Sequence, residues 1–178
     1  MFNSDKGKLS VFKRIAANAE IYLATLLLIF YILLIATNTL LREIGLDRLP
    51  WGQEIVLGAF IWAVWLSAGY AIKTGEHLRF NGLISKSSDR VIYIAQLLES
   101  VLWVIFAVVV FTFSLETLSF YIDTGSNITG TTIPEYVRRA AIPVGMLVVI
   151  IRTLERSVLL TRSYRQGENM DKWVSSNE

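Results

Sequence analysis

Residues 55–72 read IVLGAFIWAVWLSAGYAI, a run of 18 residues without a charge between Glu54 and Lys73. The hydrocarbon core of a bilayer is about 30 Å thick and needs roughly 20 mostly apolar residues per helix, so this run predicts a transmembrane helix. Three further uncharged runs lie at residues 21–41, 100–115 and 140–151, and the last must be extended into its flanks to cross a bilayer. We therefore predict an all-α integral membrane protein with four transmembrane helices, at about 20–41, 51–73, 90–121 and 134–161.

The bulk composition favours a membrane protein without a soluble domain. The chain has 178 residues, is 53% hydrophobic and has a mean hydropathy of +0.49, which is too apolar for an ordinary soluble domain of this size. We expect residues 1–178 to form a single membrane domain. The first apolar run is longer than the roughly 7–15 residues of a signal-peptide core, so we expect it to be retained as a membrane helix.

Two segments beside the predicted spans have the pattern of helices that lie in the membrane interface. Before the first span, apolar residues recur at helical spacing from Leu9 through Phe12 and Ile15 to Ala19, which predicts an amphipathic lead-in. Between the second and third spans, residues 76–88 interleave apolar and basic side chains, which predicts a short interfacial segment.

The basic residues are distributed unevenly about the four spans. If the N-terminus is cytoplasmic, thirteen of the seventeen lysines and arginines lie in cytoplasmic segments, and only Arg42, Arg48, Arg138 and Arg139 lie outside. This bias follows the positive-inside rule and predicts that both termini face the cytoplasm. The basic residues flank membrane spans, so we expect membrane lipids rather than nucleic acid as their partners.

No residue pattern indicates catalysis, a cofactor or a metal site. The chain has no cysteine and one histidine, His77, whereas haem and transition-metal sites usually take several histidine or cysteine ligands. The sequence motifs of serine hydrolases, zinc proteases and nucleotide-binding loops do not occur. We predict a protein that is not an enzyme and that holds no cofactor or metal ion.

A carrier or channel needs polar groups near the middle of the bilayer, and the predicted spans have few there. The deepest charges are Glu99 and Arg152, roughly 20–25 Å from the outer ends of their spans at 1.5 Å per residue. Either charge alone would be costly at this depth, so we hypothesise an interhelical ion pair between them. Two other interpretations stay open: an autonomous four-span carrier or channel that uses Glu99, and a structural subunit of a membrane redox complex.

The second span carries small residues four positions apart. Such a stripe lets another helix approach closely. The partner is either a helix of the same chain or a helix of another subunit, and the sequence leaves both open. The stripe comprises Ala59, Ala63, Ser67 and Ala71.

The second and fourth spans also carry two distinctive groups of residues. The first group consists of Trp51, Gln53, Glu54, Trp62, Gly69, His77 and Arg79, and the second includes Pro143 and Gly145. Together they resemble the small membrane subunit, the four-span DctQ-like component, of tripartite ATP-independent periplasmic (TRAP) transporters. Two residues depart from that family's pattern, since Gln53 stands where an acid is common and Asn81 where aspartate is common.

The resemblance implies a three-part importer in the bacterial inner membrane. A soluble periplasmic substrate-binding protein captures a small organic anion, often a carboxylate, and a large multi-span membrane subunit moves the anion together with sodium. The small subunit would brace the large one and help to dock the binding protein, without a substrate site of its own. The candidates for that docking, expected on the periplasmic side, are Arg48, Asp123, Glu135, Arg138 and Arg139.

Overall fold

The computed structural model describes residues 18–47, 49–74, 88–167 and 170. Nearly all of the predicted lead-in and of the interfacial segment, together with Arg48, His77 and Arg79, lies outside these residues. The described residues form helices and loops without a strand, apart from one isolated bridge between Asn127 and Pro134. The prediction of an all-α chain is confirmed.

Five helices follow one another along the described residues. They are α1 (Ala19–Glu43), α2 (Gly52–Thr74), α3 (Asp89–Thr124), α4 (Glu135–Arg139) and α5 (Ala141–Arg165). The first three lie over the first three predicted spans. α3 has 36 residues, or about 54 Å at 1.5 Å per residue, so it is much longer than the roughly 30 Å hydrocarbon core.

The fourth predicted helix, 134–161, is divided in the structure. α4 ends at Arg139 and α5 begins at Ala141, with Ala140 between them. The physical reason is Pro143, which has no N–H to donate to the carbonyl of Arg139 and whose ring crowds that carbonyl. The predicted span of 134–161 therefore comprises two helices with a one-residue interruption at Ala140, three residues before the proline.

Three of the described helices are long and apolar enough to cross a membrane, namely α1, α2 and α3. α5 has 25 residues, about 37 Å, and is therefore long enough. Its apolar run is interrupted by Arg152, Glu155 and Arg156. The fourth span consequently stays a prediction.

The long helices pack as an open row rather than as a closed bundle. α1 packs on α2, α2 packs on α5, and α5 packs on α3, so α1 and α3 form the two edges. Where α2, α3 and α5 meet, the side chains of Ile72, Ala107, Met146 and Val149 form a buried cluster. An open row leaves most of both edge helices uncovered, and Leu26 on α1 and Phe113 on α3 are each about two-thirds exposed.

A second buried cluster joins α3 and α5 beyond the first one. Ile92, Leu160 and Met170 are almost fully buried there, and the rings of Tyr93 and Tyr164 stack with their centroids 4.2 Å apart. The backbone N–H of Met170 donates to the carboxylate of Asp89 at 3.0 Å. This side of α5 is therefore covered by α3 and by the chain beyond α5.

Two glycines let α2 and α5 approach closely. A Cβ at Gly69 would overlap the side chain of Val148, and a Cβ at Gly145 would lie 2.5 Å from the Cβ of Trp65 and 3.3 Å from its backbone. Each glycine thus presents bare backbone to the facing helix, as small residues do at membrane helix interfaces.

We expect Gly145→Ala to destabilise the protein by roughly 1–3 kcal/mol, because the added methyl group forces α2 and α5 apart. The matched control is Gly58→Ala, where the added Cβ would make only ordinary van der Waals contact with the side chain of Arg138, at 3.7 Å. Thermal unfolding of the purified proteins in detergent measures both. Equal midpoints for Gly145→Ala and Gly58→Ala would contradict the close packing described here.

Candidate functional site

The first charged group of the structure, which we call the Arg138 cluster, consists of Glu54, Glu135, Arg138 and Arg139. Arg138 Nη1 lies 2.6 Å from Glu54 Oε2, and the Nε and Nη2 atoms of Arg138 both donate to Glu135 Oε1, with the Nε at 3.0 Å. Arg139 Nε donates to the same oxygen at 3.0 Å. The side chains of Arg138 and Glu135 are 13% and 7% exposed, whereas those of Glu54 and Arg139 are about one-third exposed, so the centre of the cluster is buried and its rim is accessible.

The short helix α4 carries three of the four charged residues of the cluster. Contacts on two sides hold it in position. Its first N–H, that of Glu135, donates to the carbonyl of Ser126 at 2.9 Å, which ties α4 to the preceding loop. The indole N–H of Trp62 donates to the carbonyl of Val137 at 3.0 Å, which ties α4 to α2. The guanidinium of Arg139 lies over the ring of Tyr121 at 4.7 Å and donates to its hydroxyl at 3.2 Å. α4 therefore joins α2 to α3.

The loop 125–134 covers the start of α2. Gly130 has φ +75° and packs on Trp51, where an added Cβ would lie 3.4 Å from the tryptophan Cβ. Ile128 is 4% exposed and its N–H donates to the carbonyl of Ile133 at 2.8 Å. The loop is therefore ordered and folds over the start of α2. Its turn depends on the positive φ of Gly130, a conformation that glycine adopts at little cost.

The Arg138 cluster is electrically neutral, with two carboxylates and two guanidiniums. Taking charges out of water costs several kcal/mol per ion, and only a well-bonded arrangement compensates for that cost. Arginine suits the central position because its planar guanidinium donates in several fixed directions and stays protonated at every physiological pH. The arrangement can hold helices together, but within the described residues it places no open acid or base beside a cavity.

The second charged group, the Arg152 cluster, comprises Glu20, Arg152, Glu155, Lys73 and Arg156. Arg152 Nη2 lies 2.5 Å from Glu20 Oε1, and Arg152 Nη1 donates to Glu155 Oε2 at 2.7 Å. Lys73 Nζ donates to Asn18 Oδ1 at 2.5 Å. Arg156 Nη1 donates at 2.8 Å to the carbonyl of Ile72, near the end of α2. This cluster ties the first turn of α1 and the last turn of α2 to the middle of α5.

The Arg152 cluster supplies a partner that sequence reasoning missed. Glu20 is 8% exposed, and its carboxylate meets Arg152 from α1, whereas we predicted Glu99 on α3 as the partner. Glu99 is half-buried and lines an apolar groove with Leu102, Trp103 and Phe106. The pair of Glu99 with Arg152 stays a prediction. The signal for Glu20 was present in the sequence, since an acid stands directly at the start of the first apolar run.

The other predicted residues are distributed as follows. Ala59 and Ala63 are buried within the chain, and Ser67 and Ala71 are half-buried. Gly69, Pro143 and Gly145 are buried, Trp51 and Trp62 are half-buried, and Gln53 is exposed. Among the docking candidates, Glu135 and Arg138 belong to the buried Arg138 cluster, Arg139 is about one-third exposed and Asp123 is exposed.

One protein family matches most of the chain. The model of the family described as tripartite ATP-independent periplasmic transporters, DctQ component, matches residues 31–163. The chain belongs to the DctQ family. No curated protein matches the sequence.

Membership of the DctQ family confirms the resemblance seen in the sequence and makes this chain a transporter component rather than an enzyme. The matched region begins within α1 and ends within α5, so it contains the whole Arg138 cluster and Arg152. Together with the three apolar helices, the family places the chain in a membrane.

In this DctQ-family chain, we expect Arg138→Gln to cost roughly 1–3 kcal/mol of stability, because it leaves the buried Glu135 and the partly buried Glu54 without their shared cation. Arg138→Lys should recover only part of the loss, since one ammonium cannot reproduce the forked contacts of a guanidinium. Thermal unfolding in detergent measures both variants. Arg42→Gln is the control, because Arg42 is 57% exposed and pairs only with its neighbour Glu43 among the described residues. A loss for Arg138→Gln no larger than that for Arg42→Gln would refute the structural role.

We expect the loss of stability caused by reversing the charge of Arg152 on α5 to be rescued by reversing the charge of Glu20 on α1. Arg152→Glu places three carboxylates together and should lower the unfolding midpoint, and Glu20→Arg in the same chain should restore much of it. Glu155→Gln should have little effect, because Glu155 is 53% exposed and its i,i+3 contact resembles weak surface pairs. Combining Arg152→Glu with Glu99→Arg tests the pair predicted from sequence. If Glu20→Arg gives no rescue, Glu20 is not the partner that stabilises Arg152.

Proposed function

We propose that this chain is the small permease subunit of a TRAP-type importer that carries a small, carboxylate-like organic anion into the cell with sodium. Its role is to brace the large membrane subunit and to help dock the periplasmic substrate-binding protein. Its family supports the assignment as a transporter component. The distribution of its charges supports a role as a brace, with the transport pathway in the large subunit.

The observation that carries this proposal is the separation of the two charged clusters. Glu54 and Lys73 are 19 positions apart on α2, which corresponds to about 28 Å. α2 has no charged residue between them, and α5 has none between Ala141 and Ile151. A transport pathway normally needs polar groups at this depth. The uncharged layer therefore favours a brace over a chain with its own substrate or ion site.

The same layer supports the proposed topology in the bacterial inner membrane. Its thickness is close to that of a hydrocarbon core, so the two clusters would lie near the two membrane surfaces. The bias of basic residues assigns the Arg152 cluster and both termini to the cytoplasm and the Arg138 cluster to the periplasm. α5 would be the fourth span, with the contacts of Arg152 and Arg156 reducing the cost of their charges near the membrane.

The edges of the helix row are the surfaces that we assign to the large subunit. α1 and α3 each have one packed side, and most of the large side chains on their remaining surfaces are apolar, although α3 also exposes Glu116. The buried part of the small-residue stripe, Ala59 and Ala63, is used within the chain. Docking of the large subunit on α1 and α3 would cover the apolar surfaces that stay exposed in the chain alone.

Docking of the periplasmic protein is assigned to the Arg138 end of the row. Asp123 at the end of α3 and Arg139 on α4 are the candidates with accessible side chains among the described residues. Glu135 and Arg138 would act indirectly, since they fix α4 and the loop 125–134 in place. Accessible charges at a rim mainly steer encounter and set the salt dependence of binding.

The experiment that tests the assignment is affinity purification of the tagged chain from native membranes in mild detergent, followed by mass spectrometry. The expected result is a much larger polytopic membrane protein in equimolar amount. Cells expressing an unrelated tagged four-span protein provide the control. A chain that purifies alone and stays monodisperse would refute the subunit assignment and return attention to an autonomous role for Glu99.

We expect Asp123→Lys to slow association of the substrate-binding protein with the reconstituted transporter several-fold at low salt, with the difference shrinking at high salt. Glu155→Gln is the control, because it changes an exposed carboxylate of the Arg152 cluster, far from Asp123. Surface plasmon resonance on nanodisc-embedded complex gives both association rates. Identical association rates for Asp123→Lys and the unchanged protein would exclude Asp123 from the docking surface.

A further inference from the structure

A groove of about 330 Å³ lies between α1 and α2, at the end of these helices that carries Glu54. Its wall on α1 is one face of that helix, because the residues recur at helical spacing. Its wall on α2 is formed by the first turns of that helix and by the loop before it. The walls include Ile35, Asn38, Arg42, Leu49, Gln53 and Val56, and none of these belongs to a charged cluster.

Two contacts fix how α1 and α2 lie side by side. The rings of Tyr31 and Phe60 meet edge to face with their centroids 5.9 Å apart. Nearer the loop, Asn38 packs on Gly52 so closely that a Cβ on the glycine would overlap the asparagine side chain. The two helices are antiparallel, and these contacts give one and the same register along their length.

This register places the groove across the outer boundary of the hydrocarbon core. Glu54, which lies at the periplasmic membrane surface in the proposed topology, is level with Thr37. Arg42 is five residues further out, about 7 Å, and Ile35 is two residues further in, about 3 Å. The headgroup layer is about 5–8 Å thick on each side of the hydrocarbon. Arg42 is therefore at the depth of lipid phosphates, and Ile35 is at the outer end of the acyl chains.

The outer part of the groove is polar and has charges of both signs beside it. Arg42 is 57% exposed, and its Nη2 donates to Glu43 at 3.0 Å, which leaves its other donors available within the described residues. The side-chain amide of Gln53 is exposed and has no hydrogen-bond partner in the same part of the chain. The positive end of the α2 dipole also lies here, since α2 begins at Gly52. This part of the groove is suited to a phosphate.

The inner part of the groove is apolar. Ile35 is about half exposed on α1, and Val56 is half-buried on α2. From Arg42 to Ile35 the groove extends about 10 Å along the axis of α1. A ligand that fits it has a charged head at the depth of the headgroups and an apolar tail that enters the hydrocarbon.

We propose that this groove binds one phospholipid of the periplasmic leaflet with a phosphoethanolamine head. The phosphate lies between Arg42 and Gln53, the ammonium lies against Glu43, and one acyl chain passes Ile35 and Val56. Guanidinium–phosphate contacts are strong and directional, and a primary ammonium has N–H donors for a carboxylate. The inference rests on the proposed four-span topology.

Depth and charge favour this lipid over other occupants. A phospholipid carries its phosphate and its acyl chains at these two depths, whereas a protein segment would have to supply an anion and an apolar group with the same spacing. A purely anionic head would meet the carboxylate of Glu43 without a compensating cation. The pair of Arg42 with Glu43 is exposed and therefore weak, so a zwitterionic head can replace it with two charge-matched contacts.

The test is native mass spectrometry of the full chain from nanodiscs that contain phosphatidylethanolamine, phosphatidylcholine and phosphatidylglycerol in equal amounts. We expect the chain to retain one phosphatidylethanolamine preferentially. Arg42→Gln should reduce its retention about fivefold. Glu43→Gln should abolish the preference over phosphatidylcholine, because choline has no N–H to donate. Ile35→Trp should reduce retention of all three lipids by filling the groove.

Two matched variants are the controls. Glu155→Gln removes an exposed carboxylate of the Arg152 cluster, and Leu33→Trp adds an indole at an exposed position of α1 outside the groove. Both should keep the preference. The proposal is overturned if Arg42→Gln or Glu43→Gln leaves lipid retention unchanged, if the controls lose the preference equally, or if phosphatidylglycerol is retained over phosphatidylethanolamine. It is also overturned if a photocrosslinker at position 35 captures the large subunit in the intact complex.

A separate measurement tests the topology on which the lipid site rests. The chain has no cysteine, so Asp47→Cys in the exposed loop between α1 and α2 reports the topology through an impermeant maleimide. Labelling of this cysteine from the cytoplasmic side would refute the topology. Periplasmic labelling without a preference for phosphatidylethanolamine refutes the lipid site alone.

Discussion

The buried guanidinium of Arg138 fixes one end of the molecule. It meets Glu54 of α2 at 2.6 Å and Glu135 of its own helix, so a five-residue helix with little stability of its own acquires a defined position. α4 in turn holds the loop 125–134 over Trp51 and brings Arg139 against Tyr121 of α3. The relative positions of α2, α3, α4 and the loop therefore depend on one guanidinium that donates to two carboxylates.

The cost of charge in a membrane explains how the rest of the chain is organised. The described charged side chains that are buried form two clusters, each of which joins helices that are distant in sequence, and the layer between them on α2 is uncharged. α5 takes part in the Arg152 cluster and packs against both α2 and α3, so it is the central element of the row. The edge helices lack such anchors along most of their length, and their apolar surfaces are suited to a larger partner.

Sequence reasoning predicted the helices better than their contacts. Uncharged runs located α1, α2 and α3, because a charge within a span is expensive, although α3 continues past the charges at Glu99 and Glu116 that bound its run. Pro143 accounts for the break after Arg139, but the length of α4 depends on hydrogen bonds from Trp62 and to Ser126 that no local pattern specifies. The contact between Glu54 and Arg138 joins residues 84 positions apart, so it requires the order of helices in the row, which composition does not give. For the same reason the contact between Glu20 and Arg152, across α1 and α5, was not predicted from the sequence.

The central claim is that the chain is internally braced and uses its open edges to bind a larger subunit. Because the sequence has no cysteine, single cysteines in place of Leu26 and Phe113 can be labelled with a lipid-soluble maleimide in the isolated chain and in the purified complex. Both side chains are about two-thirds exposed in the chain alone. The predicted result is rapid labelling of the isolated chain and protection of at least one of the two edges in the complex, while a cysteine in place of Val158, a half-exposed residue of α5, stays reactive. Equal labelling of both edges in the two states would contradict the claim.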